Sequence, residues 1–353
     1  MDARPTAEER RKLSDWGPRG GWPTFRTVDL HTAGEPLRIV TDGFPELRGE
    51  TMLERRRDAQ QRYDGLRRIL MWEPRGHADM YGCLVTPPTT DDADFGVLFM
   101  HNEGWSTMCG HGVIAVTTAA VELGWIPPRE PETTVRIDAP PGRITAAASV
   151  EGARVRGVRF RNVPSFVLAR DEMVDVSGVG RVRYDIAFGG AFYAYVDAGD
   201  VGFRCVPEEI AALISVGRAI KRAVMATREV PHPIDADLGF LYGVIFTAPA
   251  LGEGADMRNV CIFADGEVDR SPTGTGVSGR MALQYARGEV ALGQPLVIES
   301  ILGTRFTGRV VEESTCGPYA AVVPEVGGNA HITGRQTLVV DPDDPLKEGF
   351  LLR

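Results

Sequence analysis

The sequence predicts an α/β protein built from two similar halves. Its 353 residues correspond to roughly two domains of about 150 residues each. The composition, 43% hydrophobic and 25% charged, is that of a globular protein with a sizeable core. Two glycine-rich segments, CGHGV at 109–113 and TGTGV at 273–277, each lie between an apolar strand and a helical segment. This repeated strand–turn–helix unit favours two halves with a common fold.

The elements of the first half follow from the spacing of apolar residues. Residues 1–20 are predicted to form a polar tail, and alternating apolar positions predict strands over 25–40. Residues 52–71 carry apolar side chains at helical spacing together with good helix formers, and predict a helix. The apolar run at 96–101 predicts a strand, and a buried helix is expected over 113–125.

From Thr133 onward the sequence changes to short β-rich segments, and the domain change is expected between Gly142 and Gly157. Residues 185–198 predict a pair of strands joined around Gly189 and Gly190. Pro207, followed by two glutamates, predicts the start of a helix that runs to about residue 225, because proline and acidic side chains suit the first turn.

Charge and composition exclude several classes of partner and site. The net charge of −9 and a pI near 5.3 disfavour nucleic acid and anionic membranes. No uncharged apolar run approaches the ~18 residues of a membrane span, and residues 1–16 lack the apolar core of a signal peptide, so a cytoplasmic location is expected. An odd number of cysteines without CxxC predicts neither a disulfide framework nor a structural zinc site; they are Cys83, Cys109, Cys205, Cys261 and Cys316.

Cys109 is the candidate reactive group. A glycine-rich turn entering a helix presents unpaired N–H groups at the positive end of the helix dipole, where an anion can bind. The same position lowers the pKa of a cysteine, so thiolate is expected near neutral pH. A buried, inert thiol is the ordinary alternative, but the flanking glycines, His111 and the repeat favour function. The other four cysteines are expected to be inert.

These glycine-rich segments do not match the common nucleotide-binding or metal-binding motifs. The sequence contains no Walker motif, the GxGxxG run of a dinucleotide fold is absent from CGHG, and no HExxH motif or other metal-ligand spacing is present. No metal is therefore expected. The remaining histidines are expected to be structural; they are His31, His77, His101, His232 and His331.

Five segments together resemble the proline racemase family over about residues 25–350. They are MCGHG, DRSPTGTG, DLHTAGEP, PRGHADMYG and FGGAFYAYVDAG. Racemases and epimerases of this family carry cysteine at both turn positions. In this chain the two positions, 164 residues apart, hold Cys109 and Thr273. That pair resembles the trans-3-hydroxy-L-proline dehydratase branch of the family.

The resemblance also implies the architecture. It is the diaminopimelate epimerase-like fold, in which two pseudo-symmetric domains each wrap a sheet around a central helix and the active site lies in the cleft between them. The first domain is expected to comprise residues 21–150 plus about 335–353, and the second residues 151–334. The partner implied is a small imino acid, and a homodimer is left open as an assembly.

The resemblance assigns roles to residues at the two turns. The N–H groups of Gly110, His111, Gly274 and Thr275 are expected to hold the substrate carboxylate, a role that suits helix N-termini. Asp269 is expected to pair with the ring ammonium, although a turn or capping role is the common alternative. The family is thought to use no pyridoxal cofactor or metal.

The Cys109 and Thr273 pair predicts dehydration rather than racemisation. A threonine hydroxyl is not ionised near neutral pH, so no second base acts on the opposite face of the α-carbon. One thiol could remove the α-hydrogen and pass it to the departing 3-hydroxyl. The alternatives are a proline or 4-hydroxyproline epimerase and, in another class, a non-catalytic carboxylate-binding protein.

Overall fold

The structure is a computed structural model that describes residues 6–18, 20–152 and 154–352. The first half contains α1 (Ala7–Ser14), β1 (Thr24–Thr32), β2 (Glu35–Asp42), α2 (Met52–Met71), β3 (Tyr81–Thr86), β4 (Phe95–His101), β5 (Trp105–Ser106), α3 (Gly110–Glu122), β6 (Glu132–Ala139), β7 (Gly142–Glu151) and β8 (Arg154–Arg161).

The second half contains β9 (Ser165–Val176), β10 (Gly180–Phe188), β11 (Phe192–Asp197), α4 (Ile210–Thr227), β12 (Leu241–Pro249), β13 (Met257–Phe263), β14 (Glu267–Asp269), α5 (Gly274–Ala286), β15 (Leu296–Glu299), β16 (Arg305–Cys316), β17 (Tyr319–Gly328) and β18 (Ala330–Val339). Short 3₁₀ turns precede β12 and α4.

The two halves repeat one strand order. In the first, β1 pairs antiparallel with β2, β2 parallel with β3, β3 antiparallel with β4, and β4 parallel with β6. In the second, β10, β11, β12, β13 and β15 follow the same sequence of antiparallel and parallel pairings. The hairpins β6–β7 and β15–β16 are likewise equivalent. The predicted fold class is therefore confirmed, down to its internal repeat.

The chain crosses between the halves at two equivalent places. β18 follows β17 directly and pairs with β1, just as β9 follows β8 and pairs with β10. β8 pairs with β7 and also with β17, which joins the two sheets. By strand pairing, the second half therefore begins after Arg161 and ends before Ala330. The expected domain limits at 150 and about 335 stay a prediction.

Most predicted elements are present, with small differences at their ends. The helix predicted over 52–71 spans Met52–Met71 and begins with a capping box between Thr51 and Glu54. The helix expected over 113–125 begins three residues earlier, at Gly110, and ends at Glu122. The polar N-terminal segment contains the helix α1, in which residues 7–12 are exposed.

Each sheet wraps around a central helix. Residues Gly110–Val121 of α3 are all buried, as suits a helix that is apolar on every face, and α3 packs on β1, β2, β7 and β8. α5 is buried along most of its length and packs on β9, β10, β16 and β17. The N-termini of these two helices meet. A Cβ on Gly110 would lie 2.5 Å from the Cα of Gly274, and one on Gly274 would lie 2.7 Å from the Cα of Gly110.

This backbone contact makes Gly110 a stability determinant. We expect Gly110→Ala to lower the free energy of unfolding by about 1–3 kcal/mol, because the added methyl meets backbone that cannot rotate away. Thermal unfolding followed by circular dichroism measures the change. Gly65→Ala in α2 is the matched control: its new methyl would have no neighbour closer than 3.9 Å, so helix propensity should leave stability equal or higher. An unchanged melting temperature for Gly110→Ala would contradict the contact.

Candidate active site

Cys109 is the N-cap residue of α3. Its backbone is extended, with φ −145° and ψ 111°, and its Sγ accepts a hydrogen bond of 3.2 Å from the N–H of Gly112. A side chain at Gly112 would strike the ring of Phe99, so glycine is needed there for the turn to close on the sulfur. The sequence thus brings a thiol to the positive end of a buried helix.

The His111 side chain lies against the Cys109 thiol. Its Nδ1 is 3.1 Å from Sγ, and the ring packs edge-on against Tyr81 at 4.8 Å between centroids. The backbone carbonyl of His111 accepts a hydrogen bond from Thr32 Oγ1. Burial lowers the pKa of His111, so its ring is neutral near pH 7 and can accept a proton. The resemblance had implied a role only for the His111 backbone N–H.

The expectation of a thiolate in the free protein is wrong. Burial raises the pKa of Cys109 well above its ordinary value, the Gly112 N–H lowers it, and the carboxyl groups of Asp269 and Glu35 raise it further. The thiol is only 4% exposed. Desolvation of the charged form therefore outweighs the stabilisation from the helix terminus.

Thr273 occupies the corresponding position at the second turn, one residue before the glycine that touches Gly110. Its backbone has φ 65° and ψ 96°, a left-handed conformation that is strained for a β-branched residue. Its Oγ1 is buried and makes no hydrogen bond within the described chain, whereas its N–H donates to Ser271 Oγ at 3.1 Å. Burial and the charge of Asp269 raise the pKa of the nearby Cys261.

Asp269 and Thr275 lie on either side of this turn. Asp269 is buried at the end of β14, and its Oδ1 accepts a hydrogen bond of 2.7 Å from the N–H of Ser271. Asp269 therefore has the turn-forming contact that sequence analysis weighed against a ligand role. The Thr275 hydroxyl is 2.7 Å from the hydroxyl of Tyr193, and the Tyr195 hydroxyl donates to the carbonyl of Gly276. Strand β11 thus anchors the first turn of α5.

Glu35 was not predicted from the sequence as a site residue. It is fully buried at the start of β2, its Oε2 accepts a 2.7 Å hydrogen bond from the N–H of Arg270, and its Oε1 makes none within the described chain. Burial and the charge of Asp269 raise the pKa of Glu35 well above its ordinary value. In the sequence, Glu35 stands out only as part of the segment DLHTAGEP at 29–36, and no partner was predicted for its carboxylate.

A pair of tyrosines was missed as well. The hydroxyls of Tyr81 and Tyr242 lie 3.2 Å apart where the two halves meet. They begin the matching segments YGCLVT at 81–86 and YGVIFT at 242–247, a second internal repeat that the sequence did carry. Burial raises the pKa of both tyrosines, and the nearby Cys109 raises it further.

The structure gathers the predicted site residues around the contact between the two helices. All seven are buried: Cys109, Gly110, His111, Asp269, Thr273, Gly274 and Thr275. Within the described ranges, no three His, Cys, Asp or Glu side chains are arranged to hold a metal ion. In the same ranges, no helix combines the length and apolar character of a membrane span.

Comparison with known proteins assigns the family. The family model for proline racemase matches residues 27–351. The chain belongs to the proline racemase family. A trans-3-hydroxy-L-proline dehydratase of Colwellia psychrerythraea is 49% identical over 350 residues, covering 98% of this chain and 99% of that protein. A 3-hydroxyproline 2-epimerase of Burkholderia multivorans is 50% identical over 330 residues, covering 94% of this chain and 98% of that protein.

A solved structure agrees with the fold. The hydroxyproline epimerase from Agrobacterium vitis, crystallised with bound trans-4-hydroxy-L-proline, superposes with a TM-score of 0.89 at 30% sequence identity. The alignment covers 94% of this chain and 96% of that one. The pseudo-symmetric architecture described above is therefore that of the family.

The raised pKa of Cys109 predicts how the thiol responds to pH. The thiolate is the nucleophile, so alkylation by iodoacetamide should accelerate about tenfold per pH unit from pH 7 to pH 9 without levelling off. Peptide mass spectrometry follows Cys109 separately from the other four thiols, and guanidinium-unfolded protein supplies the reference profile. A rate that is already maximal at pH 7 would instead mean that Cys109 and His111 form an ion pair in the free protein.

Proposed function

We propose that this protein dehydrates trans-3-hydroxy-L-proline to Δ2-pyrroline-2-carboxylate, which tautomerises to Δ1-pyrroline-2-carboxylate. The observation that carries the proposal is the unequal pair of turns: a thiol stands at the first helix N-terminus and an un-ionised threonine at the second. The names of relatives at about 50% identity support the same substrate.

The base in this scheme is the Cys109 thiolate. His111 Nδ1, 3.1 Å from Sγ and neutral near pH 7, takes the thiol proton when the substrate has entered. The thiolate then removes the hydrogen on C2 of the substrate. His111 thereby supplies the activation that the helix terminus alone does not supply in the buried site.

The substrate is held by backbone and carboxyl groups. The first N–H groups of a helix have no partner within it, and those of Gly110, His111, Gly274 and Thr275 lie at two such ends that face each other. Binding the substrate carboxylate there stabilises the negative charge that develops as the C2–H bond breaks. Asp269 is the proposed partner of the ring ammonium.

Stereochemistry explains why one thiol suffices. In trans-3-hydroxy-L-proline the hydroxyl is opposite the carboxylate, so it lies on the same ring face as the hydrogen on C2. Cys109 takes that hydrogen as a proton, the C2–H electrons form the C2=C3 bond, and the C3–O bond breaks. The proton on sulfur leaves with the hydroxide as water, which restores the thiolate.

The chain's own groups complete this cycle, so we propose that it needs no organic cofactor or metal. The cytoplasmic location and the homodimer stay predictions from the sequence.

The first test measures the reaction itself. Wild-type protein and trans-3-hydroxy-L-proline should give the Δ1-pyrroline product, detected with ortho-aminobenzaldehyde. Cys109→Ala should lower kcat by about 10²- to 10⁴-fold, the usual contribution of a positioned acid or base. Cys316→Ala, which removes a thiol at the end of β16, is the matched control and should keep full activity. Product formation by Cys109→Ala at the wild-type rate would rule out the thiol as base.

A second candidate is epimerisation at C2, which the name of the Burkholderia multivorans relative favours. It requires a proton donor on the face opposite Cys109. Thr273 is the residue on that face, and its un-ionised hydroxyl is a poor proton donor. Incubation in D₂O separates the two reactions: chiral chromatography would reveal C2-deuterated D-configured product only if epimerisation occurs.

Replacing Thr273 by cysteine should add the second acid–base group. We expect Thr273→Cys to epimerise proline or a 4-hydroxyproline measurably, with slower dehydration because the carbanion gains a competing route to reprotonation. A reductant is required, since Cys261 lies beside this position. Thr273→Ser keeps the hydroxyl and should form no epimer. A folded Thr273→Cys variant that forms none from any proline tried would contradict the assignment of Thr273 to the opposite face.

A further inference from the structure

A polar cavity lies beside the C-terminal half of α5, whereas the active site lies at the N-terminus of that helix. Its volume is about 320 Å³, and its walls come from β9, β10, β11 and α5. Cavities from about 300 Å³ upward accommodate small ligands. Most of its lining is charged, which distinguishes it from the apolar core that surrounds α5 elsewhere.

Arg280 projects from α5 into this cavity and has no ionic partner among the described residues. Its Nη1 donates to the carbonyl of Arg258 at 2.9 Å and to Oδ1 of Asn259 at 2.5 Å, while its Nε and Nη2 make no hydrogen bond within the described chain. The buried arginines Arg258 and Arg38, by contrast, each pair with a carboxylate at 2.9 Å or less. Burial lowers the pKa of Arg280 to about 10, so it remains a cation near neutral pH.

The fold does not require a cation at this place. The internal repeat that aligns Cys109 with Thr273 aligns Val116 of α3 with Arg280. Val116 is fully buried among apolar neighbours. The first half therefore places an apolar side chain, which needs no partner, at this helix position. The second half places Arg280 there, at the wall of the cavity and with two donor nitrogens unused within the described chain.

Two carboxylates of the wall are left unpaired as well. Asp185 pairs with Arg287 at 2.8 Å, and Asp171 pairs with Arg287 at 3.2 Å and with Arg183 at 3.7 Å. Asp197 and Glu289 have no cation within 4 Å among the described residues, yet both are close enough to raise the pKa of Arg280. Gln284 adds a buried Oε1 that lacks a hydrogen bond in the described chain.

We propose that this cavity binds a small zwitterionic amino or imino acid. Its carboxylate would take the two free donor nitrogens of Arg280 in a bidentate pair. Its ammonium would lie between Asp197 and Glu289. A simple anion leaves the two carboxylates without a cation, and a simple cation leaves the two free donor nitrogens of Arg280 without an acceptor. A zwitterion offers a partner to groups of both signs.

The cavity is linked to the active site through α5. Tyr195 forms part of the wall, and its hydroxyl donates to the carbonyl of Gly276 at 2.8 Å, in the turn that follows Thr273 and Gly274. A ligand that contacts Tyr195 and Arg280 therefore contacts the helix whose N-terminus lines the active site. The bound amino acid would act as an effector rather than as a second substrate, because the described residues that line this cavity include no cysteine.

Titration calorimetry with L-proline tests the proposal. Cys109→Ala protein, which prevents turnover, is first saturated with pyrrole-2-carboxylate. This planar anion fills the active site and lacks the ammonium that the cavity carboxylates would bind. L-proline should then bind at one further site per chain. Pyrrolidine and cyclopentanecarboxylate, which each lack one of the two charges, should bind at least tenfold more weakly.

Variants at the rim of the cavity locate the site. Asp197→Asn combined with Glu289→Gln should weaken L-proline binding at least tenfold, and both substitutions preserve size at exposed positions. Asp200→Asn is the matched control, since Asp200 lies nearby but pairs with Arg183 at 3.5 Å; its affinity should equal the wild-type value. Absence of the further site, equal binding of cyclopentanecarboxylate, or unchanged affinity in the double variant would each overturn the proposal. The readout is binding alone, so its failure is distinct from a failure of the dehydratase activity.

Discussion

The close approach of two helix N-termini is the contact on which the rest of the structure depends. α3 and α5 meet backbone to backbone at Gly110 and Gly274, where no side chain fits. Each sheet wraps its own helix, so this contact fixes how the halves face each other. It also brings together two sets of free N–H groups and the two turn residues, Cys109 and Thr273. The geometry of the site is thus a consequence of glycine at two equivalent positions.

The same contact creates an electrostatic demand. Each helix terminus carries roughly half a positive charge, and two such ends facing each other in a buried region repel unless negative charge lies nearby. Glu35 and Asp269 are close enough to influence each other and the Cys109 thiol. Carboxyl groups near the two termini raise the pKa of that thiol. The features that hold the free protein together therefore also keep its sulfur protonated until His111 can accept the proton.

The sequence predicted the parts of the site that depend on local order, and the repeat was the decisive signal. It identified Cys109, Thr273 and the glycines between strand and helix. It could not show that the His111 ring contacts the Cys109 sulfur, because that depends on a side-chain rotation within the folded turn. It also led to the wrong protonation state for Cys109, since burial of a thiol is not visible in the chain. Tyr81 and Tyr242 could have been found, because YGCLVT and YGVIFT repeat as clearly as the turns. The pairing of β8 with β17 could not have been found, because the alternating pattern of β8 fits either sheet.

β18 follows the strands of the second half in the chain but pairs with β1 of the first half. This pairing affects the order in which the two halves fold during synthesis. β9 to β17 form one continuous stretch of chain, so the second half can complete its sheet from neighbouring segments. The first half needs β18, at Ala330–Val339, to cover β1, at Thr24–Thr32. About 300 residues separate these strands, and pairings of such long range form slowly. The half that leaves the ribosome first is therefore the half that finishes folding last, and the edge of β1 waits uncovered while the rest of the chain is made.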